Sequence, residues 1–124
     1  MEKYTIEYVF SKVSPAILWK CISTADGLSS WFADKVEQNG KDFTFIWNNH
    51  VQKARLIRRT EEESIRFRWE GEPTDSYFEF AIHHVELTRD VALTITDFAE
   101  DGDTEDAIRL WNAQIDDLRR LAGM

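Results

Sequence analysis

Apolar and polar positions alternate over residues 4–10, with Tyr4, Ile6, Tyr8 and Phe10 on one side and Thr5 and Glu7 on the other. A period of two describes a strand with one buried face. The period changes in SPAILWKCIS, residues 14–23. Ser14 suits a helix N-cap, Pro15 suits the first helical position, and Leu18 meets Ile22 one turn later. A short helix is expected there. After a kink, a second helical turn is expected near Asp26 to Trp31, ending in the Trp31-Phe32 pair.

From Val36 to Phe98 the period of two returns. Phe43, Phe45 and Trp47 alternate with Thr44 and Ile46, and Ala54 and Leu56 fall between Lys53, Arg55 and Ile57. Ile65, Phe67 and Trp69 alternate with Arg66 and Arg68, and Phe78, Phe80 and Ile82 with Glu79 and Ala81. Val91, Leu93 and Ile95 alternate with Ala92 and Thr94. Turn-forming residues separate the runs at 39–40, 48–49, 61–63, 71–75 and 88–90. Strands this short and this regularly spaced form an antiparallel meander rather than βαβ units.

The last segment is helical. Ile108, Trp111, Ile115, Leu118 and Ala122 recur at helical spacing, with Arg109, Asn112, Asp116 and Arg119 on the opposite side. Asp103 can cap this helix, Glu105 and Asp106 suit its positive end, Arg119 and Arg120 its negative end, and Gly123 can stop it. From Thr104 to Ala122 it would run about 28 Å. A strand of about eight residues spans about 26 Å, so one helix can lie across a whole curved sheet.

Composition narrows what such a chain can do. Its 124 residues, 43% hydrophobic and 31% charged, suit one domain over residues 1–124. A chain of this size buries about two-thirds of its unfolded surface. The net charge of −8 argues against nucleic acid and against an anionic membrane surface. The lone Cys21 has no internal disulfide partner, which points to a reducing compartment. No apolar run matches a signal peptide or a membrane span, so a cytoplasmic location is expected.

Catalytic patterns are missing. There is no nucleophile elbow and no Gly-rich phosphate loop, and the single Cys and three His lack zinc-ligand spacing. Neither metal nor cofactor is expected, and a binding protein is expected rather than an enzyme. His83 and His84 are adjacent, so on a strand they point to opposite faces and one of them could face inward. Asp97 is in phase with Leu93 and Ile95, and exposure is expected where the strand stops. His50 is expected in a solvated turn, and the acidic runs 61–63 and 100–106 in solvated loops.

The order strand, two short helices, antiparallel strands, long helix resembles the helix-grip fold of the START-like, or SRPBCC, superfamily. The resemblance extends to its branch of homologues of the heat-shock chaperone ATPase activator, as a small stand-alone bacterial member. Its carriers are Trp19 in SPAILWKCIS, Trp31-Phe32 in GLSSWFADKV, FTFIW at 43–47, IRFRW at 65–69 and WNAQIDDLRRL at 111–121. The resemblance implies an α+β fold with a curved antiparallel sheet of about six to seven strands wrapped around the long C-terminal helix, and two short helices after the first strand. It also implies an apolar cavity between sheet and helix, used in relatives for lipids, sterols, hormones or polyketides.

The function expected from that resemblance is binding of a small hydrophobic ligand, lipid-like or aromatic. Trp31, Phe32, Phe43, Phe45, Trp47, Phe67, Trp69, Phe78, Phe80, Trp111 and Ile115 are the candidate ligand-binding residues, with Trp31-Phe32 beside the mouth as a lid. Two alternatives stay open. One is a module that binds a chaperone or another protein, its acidic surface steering a basic partner. The other is a cyclase- or aromatase-like enzyme, which would require an inward-facing acid or base.

Overall fold

The computed structural model describes residues 1–73 and 75–121. In chain order the elements are β1 (Glu2–Phe10), α1 (Pro15–Ser23), α2 (Ala25–Trp31), β2 (Lys35–Asn39), β3 (Asp42–Trp47), β4 (His50–Thr60), β5 (Ser64–Trp69), β6 (Phe78–Val85), β7 (Asp90–Ala99) and α3 (Thr104–Leu121). The expected helix stop at Gly123, the face residue Ala122, and Thr74 of the 71–75 turn lie outside the described residues.

All seven strands form one antiparallel sheet in the order β1-β7-β6-β5-β4-β3-β2. The run from β2 to β7 is the expected meander, and β1 closes against β7, from Glu2 opposite Ala99 to Phe10 opposite Val91. Strands β1 and β2 follow one another in sequence yet occupy opposite edges. The intervening segment must therefore cross the inner face of the sheet, and α1 and α2 do so with Leu18, Trp19, Ile22, Leu28 and Trp31 buried beneath them.

Thr24 makes the kink between these helices. It is extended (φ −119°, ψ 153°), it ends α1 and begins α2, and its hydroxyl accepts from the Gly27 N–H at 2.9 Å. Ser14 occupies the N-cap of α1 as expected, but its side chain makes no capping bond. Gly27 is where the helices touch: a Cβ there would come within 1.9 Å of the Lys20 carbonyl oxygen and 2.7 Å of the Cys21 Cα. Gly40 takes φ 62° in the β2–β3 turn, a conformation that strains residues with a side chain. In β4 the register slips between Leu56 and Arg58. The bulge adds twist to a sheet that must curve around the helices. His50 is the first residue of β4 rather than a turn residue, and it is exposed.

Helix α3, about 27 Å long, packs on α2, β1 and β7. Trp111, Ile115 and Leu118 are its buried stripe. Asn112 and Arg119, on the polar side by periodicity, reach β1: Tyr8 Oη donates to Asn112 Oδ1 at 2.6 Å, and Arg119 Nη1 donates to the Val9 carbonyl at 2.9 Å. The Arg119 guanidinium also lies 4.4 Å from the centre of the Phe10 ring. Between helices and sheet lies one apolar cluster in which Phe10, Leu18, Ile22, Leu28, Phe43, Phe45, Ile65, Phe67, Phe80, Leu93 and Ile95 are fully buried.

Candidate functional site

The last turn of α2 delivers Trp31 and Phe32 to the junction of α2, α3 and the end of β3. Trp31 turns inward, its indole Nε1 donating to the Cys21 carbonyl at 2.8 Å. Together with the Gly27 contact, this bond fastens α2 to α1. Phe32 is the hub. Its ring meets Phe45 (5.3 Å between centroids), Trp47 (5.8 Å), Phe78 (5.9 Å), Phe80 (6.0 Å) and Trp111 (5.7 Å). Its carbonyl accepts from Trp47 Nε1 at 3.1 Å and from Gln114 Nε2 at 3.0 Å. One residue thus joins sheet, α2 and α3.

Beside this hub is an opening of about 750 Å³, lined by Ser29, Ser30, Trp31, Phe32, Ala33, Asp34, Trp47, Gln114, Asp117, Arg120 and Leu121. Trp31 and Phe32 are buried in its floor, while Trp47 is half-buried and Leu121 exposed. Of the residues expected to bind ligand, Trp31, Phe32 and Trp47 line it. Phe45, Phe67, Phe78, Phe80, Trp111 and Ile115 lie behind it in the packed cluster, where neighbouring rings approach to 5.1 Å (Phe67 and Phe78).

Phe43 and Trp69 instead border a larger concavity of about 820 Å³ over β2 to β5. Its other walls include Glu37, Asp42, Lys53, Arg55, Arg68 and Glu70. These alternate with the buried Val36, Phe43, Ala54 and Phe67, so this concavity faces away from the helices. Arg55 Nη1 lies 3.4 Å from Asp42 Oδ1 across it. The smaller opening is the one that adjoins the Trp31-Phe32 pair and the long helix.

The structure also decides the histidine pair and corrects the reading of Asp97. His83 and His84 are both exposed, so neither imidazole points inward. His84 is in phase with Phe80 and Ile82 but comes one residue before β6 ends. Asp97 is not exposed at a strand end, because β7 continues to Ala99 and α3 folds back over it. Its Oδ2 accepts from Tyr4 Oη at 3.1 Å and Trp111 Nε1 at 3.2 Å, and its Oδ1 from the Phe98 N–H at 2.8 Å. Burial raises the Asp97 carboxyl above the ordinary range, with these hydrogen bonds opposing it. Burial, with the nearby Asp97 charge, likewise raises the Tyr4 phenol.

The acidic run 61–63 also does more than stay solvated. Glu61 accepts from Trp19 Nε1 at 3.1 Å and Arg59 Nε at 3.0 Å, and these donors hold its carboxyl below the usual range. Among the described residues, no group of three or more His, Cys, Asp or Glu side chains is placed to hold a metal ion. No described helix is long and apolar enough to cross a membrane.

Gln114, Asp117, Arg120 and Leu121 were absent from the residues expected at the site. Their spacing puts Gln114, Asp117 and Leu121 on one stripe of α3, next to the apolar stripe. That much is visible in the sequence, but the segment facing the stripe is not.

A family model described as a START-like superfamily domain matches residues 1–124. No curated protein matches. Among solved structures, BfR322 from Bacteroides fragilis is similar at 39% identity and a TM-score of 0.70, over 97% of this chain and 90% of that one. The Aha1 dimer from Colwellia psychrerythraea is similar at 16% identity and a TM-score of 0.80, over 98% and 96%. Protein BH1534 from Bacillus halodurans is similar at 16% identity and 0.77, over 98% and 97%.

Proposed function

This chain belongs to the START-like superfamily over residues 1–124, and on that premise we propose that it binds a small apolar molecule, lipid-like or aromatic, at the opening beside Trp31 and Phe32. The observation that carries the reading is the coincidence of that opening with partly accessible aromatic surface: about 750 Å³ beside the half-buried Trp47. Ligand sites in proteins commonly span about 300–1,000 Å³.

The interior behind the opening is filled by rings, so the ligand rests against the cluster rather than replacing it. Burying ~300 Å² of apolar surface gains roughly 7–8 kcal/mol. Association costs at least ~4 kcal/mol. Apolar contact alone therefore gives binding near millimolar, and tighter binding requires the polar groups at the rim, Ser30, Gln114, Asp34, Asp117 and Arg120.

The test is titration with a neutral apolar dye such as Nile red, followed by dye and tryptophan fluorescence. Saturable one-to-one binding that weakens in Leu121→Glu and Trp47→Ala supports the reading. A wild-type protein without saturable binding, or one whose binding ignores both substitutions, overturns it.

A further inference from the structure

The two edges of the sheet differ. Strand β2 is five residues long, and the N–H of Val36 on its outer side is taken by Ser29 Oγ of α2 at 2.8 Å. Strand β1 is nine residues long and pairs with β7 without a register shift. The direction of its backbone groups follows from the alternation of an antiparallel ladder. Ile82 donates to the Glu63 carbonyl at 2.8 Å, so Phe80 and Ile82 of β6 bond toward β5, and Glu79 and Ala81 toward β7. Thr94 and Thr96 of β7 then bond toward β6, while Leu93 and Ile95 bond to Tyr8 and Ile6 of β1. Lys3, Thr5, Glu7 and Val9 are left with their N–H and C=O groups pointing away from the sheet. Arg119 agrees with this phase, its Nη1 reaching the outer Val9 carbonyl at 2.9 Å. Among the described residues, no other group bonds to the outer backbone of these four.

An open edge of this length is a template for another strand. We propose that β1 pairs antiparallel with β1 of a second copy of this chain, about a two-fold axis at Thr5, so that the two sheets become one. The side chains select both the occupant and the register. With Thr5 opposite its own counterpart, Lys3 lies opposite Glu7 of the second copy, and Glu7 opposite Lys3. Opposite charges set directly across a strand pair stabilise it. Both residues are exposed, and neither makes an ion pair among the described residues. Lys3 Nζ only stands 5.8 Å from the centre of the Tyr77 ring. The same register sets Met1 against Val9, which are 46% and 45% exposed. An axis at Lys3 or at Glu7 would set like charges face to face, and one at Tyr4 or Ile6 would set Lys3 or Glu7 against Thr5. The bonding phase also fits: Lys3, Thr5 and Glu7 all face the edge, so each opposed pair exchanges two hydrogen bonds. A strand pair of this length buries less than a standard interface, so the association is weak and depends on concentration.

Sedimentation equilibrium of the untagged protein from about 10 µM to about 1 mM measures it. Salt of about 0.15 M screens the mutual repulsion of two chains that each carry −8. The wild type should pass from monomer to dimer across this range. Lys3→Glu and Glu7→Lys each replace two attractive contacts by two repulsive ones, and each should weaken dimerisation by about tenfold. Both positions are exposed, so the variants are expected to fold. An equimolar mixture of the two variants should recover the wild-type affinity, because opposite charges face each other again, and so should the double variant Lys3→Glu/Glu7→Lys. A wild type that stays monomeric throughout, a dimer indifferent to either single substitution, or a mixture that associates no more tightly than its components overturns the proposal. None of these residues lines the opening beside Phe32, so the outcome is independent of the ligand reading.

Discussion

Gln114 on α3 donates its side-chain amide to the backbone carbonyl of Phe32 at 3.0 Å, across 82 positions of sequence. The bond ties the long helix to the end of α2 at the rim of the candidate site. Trp47 Nε1 donates to the same oxygen at 3.1 Å, so the carbonyl is held from two sides.

Removing one donor should cost little, and removing both should cost more than the sum. Gln114→Ala is expected to destabilise by about 1 kcal/mol, an ordinary net hydrogen bond. Trp47→Phe removes the other donor with modest loss of packing. The double variant leaves the carbonyl without either side-chain partner, and a further ~1 kcal/mol beyond additivity is expected. Urea denaturation of the four proteins measures the coupling, and strict additivity would show that the shared acceptor is immaterial.

Phe32 is the most connected ring at the opening, and its loss should trade stability for space. Phe32→Ala is expected to destabilise by about 3–5 kcal/mol and Phe32→Leu by about 1–2 kcal/mol. The leucine variant should remain folded and take up more Nile red than wild type, since the vacated volume adjoins the opening. Reduced uptake by a folded Phe32→Leu protein would place the probe elsewhere.

The contact between α1 and α2 leaves no room for a methyl group at Gly27. Because the obstructing atoms are backbone, 1.9 and 2.7 Å from the added Cβ, they cannot rotate away. Gly27→Ala is expected to destabilise by about 2–4 kcal/mol despite its better helix propensity. The denaturation midpoint reads this directly, and a stabilised variant would contradict the close approach.

Asp97 should give the stability a component that grows on mild acidification. Its carboxyl is raised in the folded state by burial, so the native protein binds a proton more readily than the unfolded chain. Between the ordinary carboxylate value near 4 and the raised value, stability therefore rises as pH falls. Above the raised value the charge is buried at a cost. Glu61, held low by Arg59 and Trp19, acts with the opposite sign and at lower pH. Its contribution is complete above the ordinary value and is lost as pH falls through the lowered one. Subtracting the profile of Asp97→Asn isolates the first effect: the wild type should gain on the variant as pH drops from 7 toward 4. A flat difference would mean that Asp97 is solvated.

Much of the architecture was legible because its signals are local. Tyr4, Phe10, Phe43, Phe45, Phe67, Phe78, Phe80, Leu93 and Ile95 declare their inward face by alternation alone, and all are buried. Trp111, Ile115 and Leu118 do the same at helical spacing. Less of the site was legible. Alternation marks a ring as inward without saying whether it meets other rings or a ligand, so Trp31, Phe32 and Trp47 could not be separated from Phe67 or Phe78. The inward turn of Asp97 was visible in its phase, but its shelter depends on α3 returning over β7.

The sequence by itself determined the order of elements, the buried faces of β1, β3, β5 and β6 and of α3, and the acidic balance of the surface. Those follow from periodicity and composition, which need no knowledge of distant partners. Tertiary structure alone decided that α2 ends against the stripe of α3 carrying Gln114, Asp117 and Leu121, and so decided where the opening lies. The physical reason is that a helix face is encoded in a few neighbouring residues, whereas the gap between two faces belongs to neither segment and exists only once both have packed.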